Sequence, residues 1–422
     1  MTFWEKDKRY RYTLWLCILV MFVIGTVCTL KYGNYFLLGD LDKLNNDDVR
    51  YLHTAKVLAE QGKLVYHNMD PTLFIMPGYP IFIALIVKIF GSGSLGIIAI
   101  RMSQLVLQCV CLYILYFLAK ELVNKKTAII ACILTVLYLP EYVAANLILT
   151  EVLYKTLYML LFYFSIIAIR KNKTKYYVFS GISWALVCLV RPNAAAFPLF
   201  IIIFWIVNKY SIKDMIKYTS IVFVIFVTLF SPWWIRNYKL TNKFVLFTES
   251  SANPKLLGTF IRWGAPSFYK DIPKEYKYDE FLNDEYLTED EQNNLANYMI
   301  KRSFQEEPLK YTYWYTLGKT EELYKEAYYW KPIFRVNDTR MNFTHISYIT
   351  LGILGLIAMI RRKIKGGKML IVFLLINTAV YLPFITFSRY GYPNIFVFII
   401  GAAYTLNVLF CKDEIQSEKS LI

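Results

Sequence analysis

The sequence predicts an all-helical protein that crosses a membrane many times, and three observations predict it. Of the 422 residues, 57% are hydrophobic and 18% are charged, whereas a soluble domain has about 25% charged residues. The mean hydropathy is +0.38. The apolar residues are grouped in long runs, and about 20 such residues let a helix cross the hydrocarbon core.

The basic excess does not indicate a nucleic-acid-binding protein. The formal charge is +16, but the cations punctuate apolar runs, whereas nucleic-acid binding needs them clustered on one polar face. A soluble enzyme and a disordered tail are disfavoured by the same composition. The 7 cysteines all lie in apolar stretches, which indicates neither a disulfide framework nor a metal site.

Ten apolar segments are predicted to cross the membrane. The shorter ones are expected to extend by about one helical turn into the flanking residues. The first has a basic flank but no small-residue cleavage site, which favours an uncleaved anchor over a signal peptide. The predicted spans are 12–30, 97–119, 127–145, 152–169, 176–190, 194–207, 218–234, 343–360, 369–387 and 394–411.

Charge predicts the orientation of these spans. With both termini cytoplasmic, the short cytoplasmic pieces together carry +14 of the total +16, in agreement with the positive-inside rule. The segment 73–90 is apolar but contains Pro77, Gly78 and Pro80. If it crossed, most of the basic loops would lie outside. We therefore expect it to lie in the interface or to re-enter on the outer side.

This topology divides the chain into three parts. Residues 1–234 form an N-terminal membrane module that includes a first outer loop, 31–96. Residues 235–342 form a long outer helical segment, and 343–422 form the last membrane helices and a short cytoplasmic tail. Each outer part contains an expected helix: an amphipathic one at 46–61 that can lie on the membrane, and one that begins with a capping box at 288–291.

Two carboxylates begin the helix of the first outer loop. A general base needs a carboxylate in a partly dry cleft, and Asp47 and Asp48 fit that description. Alternatively, both acids only stabilise the positive end of the helix dipole.

A third acid, Glu151, lies where the fourth span begins on the outer side, beside the polar residues Glu141 and Asn146. It can face the same cleft as Asp47. Alternatively, it forms a helical ion pair with Lys155, four residues later.

Four arginines lie at outer span ends and break the positive-inside pattern. Arginine binds phosphate through two parallel hydrogen bonds, although a single arginine at a helix end commonly reaches the lipid headgroups. Their position on one side favours a lipid-phosphate site. They are Arg101, Arg191, Arg236 and Arg389.

Other chemical signatures are missing from the sequence. It contains no phosphate-binding glycine loop and no nucleophile elbow. The 3 histidines lack metal-ligand spacing. A divalent cation held by Asp47, Asp48 and Glu151 remains an open alternative because hard oxygen ligands suit it.

The order and placement of several short motifs resemble the GT-C glycosyltransferases of family 39. That group contains the protein O-mannosyltransferases and, as relatives, the lipid A aminoarabinose transferases. The segment 47–51 (DDVRY) resembles the D-E-x-R-Y motif of the first outer loop in that family. Further similar segments are 76–80 (MPGYP), 90–91 (FG) with Arg101, 150–151 (TE), 189–192 (LVRP), 232–237 (PWWIRN) and 389–390 (RY).

This resemblance implies that the protein transfers a sugar, with inversion, from a polyprenyl-phosphate carrier to an acceptor on the outer face. Asp47 would be the general base, with Asp48 and Glu151 as further catalytic candidates. The acceptor would be a glycan, a lipid or a protein. The residues expected to bind the carrier phosphate or the substrate are Arg50, Tyr51, Arg101, Arg191, Arg236, Arg389 and Tyr390.

Two other functions remain open. A lipid-carrier flippase or another transporter would have ionisable groups at span midpoints, whereas the conspicuous acids here lie at the outer ends. An O-antigen polymerase or ligase would also have large outer loops with arginines. It would not be expected to depend on Asp47.

Overall fold

The computed structural model describes residues 3–283 and 287–410, with side chains from residue 8 onward. Over these residues the protein is built from helices, and the β-structure consists of an isolated bridge between Ile261 and Gly264. Cys411, where the last predicted span ends, and the predicted cytoplasmic tail lie outside the described residues. The α-helices, numbered in chain order, are α1 Phe3–Tyr32, α2 Asp47–Gln61, α3 Gly78–Phe90, α4 Ser94–Leu122, α5 Lys125–Leu137, α6 Pro140–Asn146, α7 Glu151–Lys171, α8 Thr174–Val190, α9 Pro198–Val207, α10 Ile212–Thr241, α11 Ala252–Leu257, α12 Tyr278–Leu282, α13 Glu289–Glu306, α14 Pro308–Tyr313, α15 Lys319–Tyr324, α16 Asp338–Arg361, α17 Lys365–Tyr381, α18 Ser388–Gly391 and α19 Ile395–Phe410.

The all-helical membrane architecture is confirmed, but the predicted count of ten spans is not. In the described part of the chain, 6 helices are long and apolar enough to cross a membrane, or 7 if the bent pair α5 and α6 is one span. They are α1, α4, α7, α10, α16 and the stretch Ser388–Phe410 that contains α19. The predicted spans 176–190, 194–207 and 369–387 form α8, α9 and α17, which have at most 17 residues and are not among these long helices.

Within the apolar segment 73–90, residues Gly78–Phe90 form α3, a helix of 13 residues. At about 1.5 Å per residue such a helix is roughly 20 Å long, shorter than the hydrocarbon core of about 30 Å. Pro77 and Gly78 delay the start of the helix, as the sequence indicates. The length is consistent with the expectation that this segment does not cross the membrane.

The helix α2 begins and ends as the sequence predicts, but its apolar face has another partner. The Asn46 side chain caps its first turn, and Gly62, with φ 68°, ends it. Val49 and Leu52 are buried within the protein, and α2 packs on α3. The apolar face that was expected to lie on the membrane therefore lies against another helix.

The basic loops meet at one end of the helix bundle. The Arg170 guanidinium, at the end of α7, donates to the carbonyl of Glu121 at the end of α4. Near the end of α19, the Asn407 amide donates to Thr127 Oγ1 in the first turn of α5, at 3.1 Å. The 21 residues of α7 extend about 30 Å, so Glu151 lies a membrane thickness away from this basic end.

Glycines let α16 and α19 pack backbone to backbone. A Cβ atom at Gly355 would lie 1.9 Å from the carbonyl oxygen of Gly401, and one at Gly401 would lie 2.3 Å from that of Gly352. Small residues commonly allow such close approach between membrane helices. This contact holds α19, and with it the short helix α18, against the rest of the bundle.

We expect Gly355→Ala to lower stability although alanine is the better helix former. The added methyl group meets backbone that cannot move away, and overpacking of this kind destabilises by about 1–3 kcal/mol. Gly181→Ala in α8 is the matched control, because its Cβ atom would meet its nearest neighbours at 3.4 Å. Thermal unfolding in lipid nanodiscs should show a lower midpoint for the first variant only. Equal midpoints would contradict the close packing.

Candidate active site

The carboxylate of Asp47 lies in the first turn of α2 and points into a cavity of about 700 Å³. Its Oδ1 accepts a hydrogen bond from the Tyr66 hydroxyl at 2.7 Å, and its Oδ2 accepts one from Arg389 Nη1 at 2.8 Å. The side chain of Asp47 is 38% exposed. One carboxylate is therefore both held in place and open to a ligand.

The guanidinium of Arg389 joins Asp47 to Glu151. Arg389 lies in α18, the short helix before α19, and its side chain is largely buried. Its Nη1 donates to Asp47, and its Nε donates to Glu151 Oε1. Two acids that are far apart in the sequence therefore meet on one cation.

Glu151 also binds Arg191, which follows the end of α8. The Arg191 Nη2 donates to Glu151 Oε1, and its Nε donates to Thr150 Oγ1 at 2.7 Å. Glu151 is 1% exposed, and Arg191 lies in the cavity wall. The buried Glu151 carboxylate thus orients two guanidinium groups, Arg191 and Arg389, at the edge of the cavity. We call the chain of contacts Asp47–Arg389–Glu151–Arg191 the charge relay.

The electrostatic environment keeps Asp47 ionised. Burial alone would raise its pKa, but the charge and hydrogen bond of Arg389, with smaller effects of Tyr66 and Arg50, hold the pKa of Asp47 below its usual value. The base form of a carboxylate is the ionised one. Asp47 is therefore in its base form at neutral pH.

Glu151 does not form the alternative ion pair with Lys155. Lys155 instead pairs with Glu141, at 2.6 Å, and both side chains are buried. The Tyr392 hydroxyl donates to the same carboxylate at 2.7 Å. Glu141 in α6 thus neutralises the charge of Lys155, and Glu151 pairs with the two arginines instead.

Tyr51 and Tyr390 lie in the cavity wall, as expected for substrate-binding residues. The ring of Tyr51 packs against Tyr66 and Tyr79, with centroids 5.4 and 5.0 Å away. The ring of Tyr390 stacks on Tyr381 at 5.3 Å. These contacts give the cavity an aromatic wall beside the charge relay.

Asp48 and Arg50 are held away from the cavity. The Asp48 carboxylate is fully buried and accepts from the backbone N–H groups of Leu38, at 2.7 Å, and Gly39, at 3.2 Å. The Arg50 Nε donates to the carbonyl of Leu44 at 2.8 Å. Both side chains shape the loop before α2, and the structure does not bring Asp48 together with Asp47 and Glu151.

Arg101 and Arg236 are also bound to backbone carbonyls outside the cavity. Arg101 is 1% exposed and donates to the carbonyls of Asn146, at 3.0 Å, and Gly33, at 2.7 Å. The Arg236 Nη1 donates to the carbonyl of Thr72 at 2.8 Å. Of the four outer arginines, the structure places Arg191 and Arg389 in the cavity wall.

Asp47, Asp48 and Glu151 do not form the cluster that a divalent cation would need. In residues 3–283 and 287–410, no group of three or more His, Cys, Asp or Glu side chains could hold a metal ion. Arg389 takes the position between Asp47 and Glu151.

Several cavity residues are missing from the sequence-based set. Tyr66 and Tyr381 belong to the wall, and so does a strip of the outer segment that leads from α10 into the start of α11. Tyrosines are numerous in this chain, so composition alone does not single these out. The polar residues of the strip and its neighbours are Asn193, Thr248, Ser250, Ser251 and Asn253.

The site combines parts of the chain that the sequence divides into three. Asp47, Glu151 and Arg191 come from residues 1–234, the strip comes from 235–342, and Arg389 comes from 343–422. The boundary at 234 falls inside α10, and that at 342 falls inside α16. The three-part division therefore remains a prediction. The wall of the cavity contains residues from all three parts.

The comparisons with known proteins agree with the resemblance. Residues 71–235 match the family of dolichyl-phosphate-mannose-protein mannosyltransferases. No curated protein matches the sequence.

Solved structures match over the whole chain. An oligosaccharyltransferase from Archaeoglobus fulgidus in the apo form has a TM-score of 0.59 and 13% identity, covering 99% of this chain and 52% of its own. The oligosaccharyltransferase AglB from the same organism, in complex with an inhibitory peptide and a dolichol-phosphate, has a TM-score of 0.56, 13% identity and the same coverage. ArnT from Cupriavidus metallidurans, bound to undecaprenyl phosphate, has a TM-score of 0.43 and 11% identity, covering 94% of this chain and 77% of its own.

The chain spans about half the length of the archaeal proteins that it matches. At this level of identity the likeness concerns the fold. Together with the family match, it shows that the chain has a GT-C glycosyltransferase fold and is mannosyltransferase-like in residues 71–235.

Proposed function

We propose that this protein is an integral membrane glycosyltransferase that moves a sugar from a polyprenyl-phosphate carrier to an acceptor on the extracytoplasmic face, with inversion. The observation that carries the proposal is the charge relay, which brings a half-exposed carboxylate into direct contact with a guanidinium in the wall of one cavity. A base and a cation in contact are the two groups that this reaction needs.

In this reaction Asp47 takes the proton of the acceptor hydroxyl. The acceptor oxygen then forms a bond to the anomeric carbon, while the bond between that carbon and the phosphate oxygen breaks. The electron pair leaves with the phosphate, which is already ionised and needs little protonation. Arg191 and Arg389 stabilise the departing charge, and the buried Glu151 is a positioning residue for both.

The carrier is supported by the matched proteins. The family description names a dolichyl-phosphate-mannose donor, and an archaeal protein of the same fold is seen with a dolichol-phosphate. The cavity wall contains arginines and small polar side chains, which together provide donors for phosphate oxygens. A glycan, a lipid or a protein remains the acceptor class.

The extracytoplasmic location is supported by the separation of charges along the bundle. The basic loops meet at one end, and the charge relay lies at the other end of α7. Basic loops remain cytoplasmic under the positive-inside rule. The cavity then lies on the extracytoplasmic side, opposite the side on which the predicted topology places both termini.

The experiment that tests the proposal uses the full chain in lipid nanodiscs, supplied with a polyprenyl-phosphate-linked sugar. We expect free polyprenyl phosphate to be released and the transferred sugar to have the opposite anomeric configuration, as read by NMR. In sealed vesicles, transfer should need donor in the outer leaflet. Movement of the intact lipid between leaflets without release of the sugar would instead identify a flippase.

The pH dependence offers a finer test of Asp47. Because its pKa lies below the usual value, the transfer rate should fall only when the pH drops below the ordinary range of an aspartate. Tyr66→Phe removes one hydrogen bond that lowers the pKa, so the acidic limb of kcat/KM should move to higher pH. Tyr269→Phe, on the exposed outer segment, should leave the limb in place. A limb that stays unchanged in Tyr66→Phe would contradict this role of Tyr66.

A further inference from the structure

A second cavity, of about 560 Å³, lies in the outer part of the protein. The aromatic side chains Trp263, Trp314 and Trp330 belong to its wall, and so does Phe387. Trp263 is 72% exposed and Trp330 is 41% exposed. Large aromatic side chains open to a concave space are typical of ligand sites. None of these four residues belongs to the charge relay.

The turn that carries Trp263 is strained. The N–H of Gly264 donates to the carbonyl of Ile261 at 2.9 Å, and the two residues between them, Arg262 and Trp263, have φ of 49° and 67°. Turns with positive φ at both central residues normally contain Asn-Gly, because other side chains are strained there. Such strain persists mainly where it serves a function.

The charges around this cavity are paired with one another. Arg262 donates to both carboxylate oxygens of Glu321, at 3.1 Å, and to Glu322, at 3.2 Å. Lys325 donates to Glu322 at 2.8 Å. A charged ligand would find no excess of opposite charge here, whereas a neutral ligand with many hydroxyl groups can bond to both donors and acceptors.

One buried hydroxyl in the wall lacks a protein partner. Thr386 is 7% exposed and belongs to the wall of the second cavity, and its Oγ1 has no hydrogen-bond partner within the part of the chain that the structure describes. A buried polar group without a partner is unfavourable. A hydroxyl group of a ligand in the cavity would satisfy it.

The two cavities share a wall. The N–H of Ile385 donates to the carbonyl of Pro254 at 2.8 Å, and Pro254 belongs to the wall of the first cavity while Ile385 belongs to that of the second. The rings of Phe387 and Tyr390, one from each wall, have centroids 4.3 Å apart. A molecule bound in the second cavity therefore lies next to the compartment that contains Asp47.

We propose that the second cavity binds a saccharide unit of the acceptor, which rests on the proposed glycosyl transfer. The apolar C–H face of a pyranose ring packs on the exposed indoles of Trp263 and Trp330, and its hydroxyl groups bond to Thr386 and the paired charges. The acceptor is thus a glycan or a glycolipid.

The test measures binding directly, with the full chain in nanodiscs and methyl α-mannopyranoside and methyl β-glucopyranoside as probes. Saturation-transfer NMR should show contact with the ring C–H protons of at least one glycoside. Trp263→Ala should lower that signal at least fivefold, whereas Tyr269→Ala, which removes an exposed aromatic residue outside both cavities, should retain it. Equal signals in the wild type and Trp263→Ala would overturn the proposal. So would a Trp263-dependent signal for acetyl-Ala-Thr-Ala-amide in the absence of one for the glycosides.

A second variant separates binding from folding. Arg262→Asn combined with Trp263→Gly supplies the residues that this turn prefers, so we expect the unfolding midpoint to rise by a few degrees while glycoside binding is lost. A higher midpoint with unchanged binding would overturn the proposal.

The outcomes also distinguish this inference from the proposed function. If a polyprenyl-phosphate-linked sugar is transferred and Trp263→Ala leaves glycoside binding unchanged, only the second cavity was misassigned. If the glycosides bind through Trp263 but no lipid-linked sugar is transferred, the glycosyltransferase proposal fails.

Discussion

Replacement of Asp47 by asparagine is expected to lower the rate of sugar transfer by about 10²–10⁴-fold, the usual contribution of a general base. Asparagine keeps the size of the side chain and an oxygen that can accept from Arg389, but its amide does not take a proton. Protein yield should be retained and the unfolding midpoint should fall only slightly, because the Asp47 side chain is 38% exposed and Arg389 keeps its bond to Glu151. The measurement is the initial rate of polyprenyl phosphate release in nanodiscs.

The matched control is Asp70→Asn, which changes an exposed acid of the same outer loop that lies outside the cavity wall. Its transfer rate should equal that of the wild type. Full activity of Asp47→Asn would remove Asp47 as the base and leave the cavity without a suitable acid, because Glu151 is buried and bound to two arginines.

Replacement of Glu151 by glutamine is expected to weaken both the fold and the reaction. It removes the charge that pairs with Arg191 and leaves Asp47 as the remaining carboxylate on Arg389. Removing one partner of a buried ion pair destabilises the folded protein by about 3–5 kcal/mol. The lost orientation of the two arginines should also lower the transfer rate of the molecules that remain folded.

The control is Glu141→Gln, which breaks the other buried pair, with Lys155. We expect a similar loss in the unfolding midpoint but a transfer rate per folded molecule close to that of the wild type, because Glu141 lies outside the cavity wall. The two quantities are measured separately, by thermal unfolding and by rates normalised to folded protein. If both variants lose activity in proportion to stability alone, Glu151 has only a structural role.

The local features of the fold could be predicted because neighbouring residues decide them. The cap at Asn46, the stop at Gly62 and the capping box at Thr288 all occur as the sequence indicates. Long apolar runs likewise correspond to long helices. The count of ten spans stays a prediction, because α8 and α17 are apolar but have 17 residues each, and composition does not show where a helix ends against its neighbours.

The members of the candidate site could be predicted one at a time, but their contacts could not. The sequence indicates Asp47 as an acid at the start of an outer-loop helix, and Glu151 and Arg389 as charged residues at outer span ends. Which arginine meets which acid depends on packing between α2, α7 and α18, and for Arg101 and Arg236 the nearest partners are backbone carbonyls.

The sequence by itself determined that the protein is a helical membrane protein, and it predicts that the basic loops share one side and that the candidate acids and arginines lie at the other. Hydropathy and charge add up along the chain, so these properties need no knowledge of distant contacts. Only the tertiary structure decided that Arg389 joins Asp47 to Glu151, that Lys155 belongs to Glu141, and that a second aromatic cavity adjoins the first. A buried charge must find its partner wherever the fold places one, and that partner is set by the packing of helices far apart in the sequence.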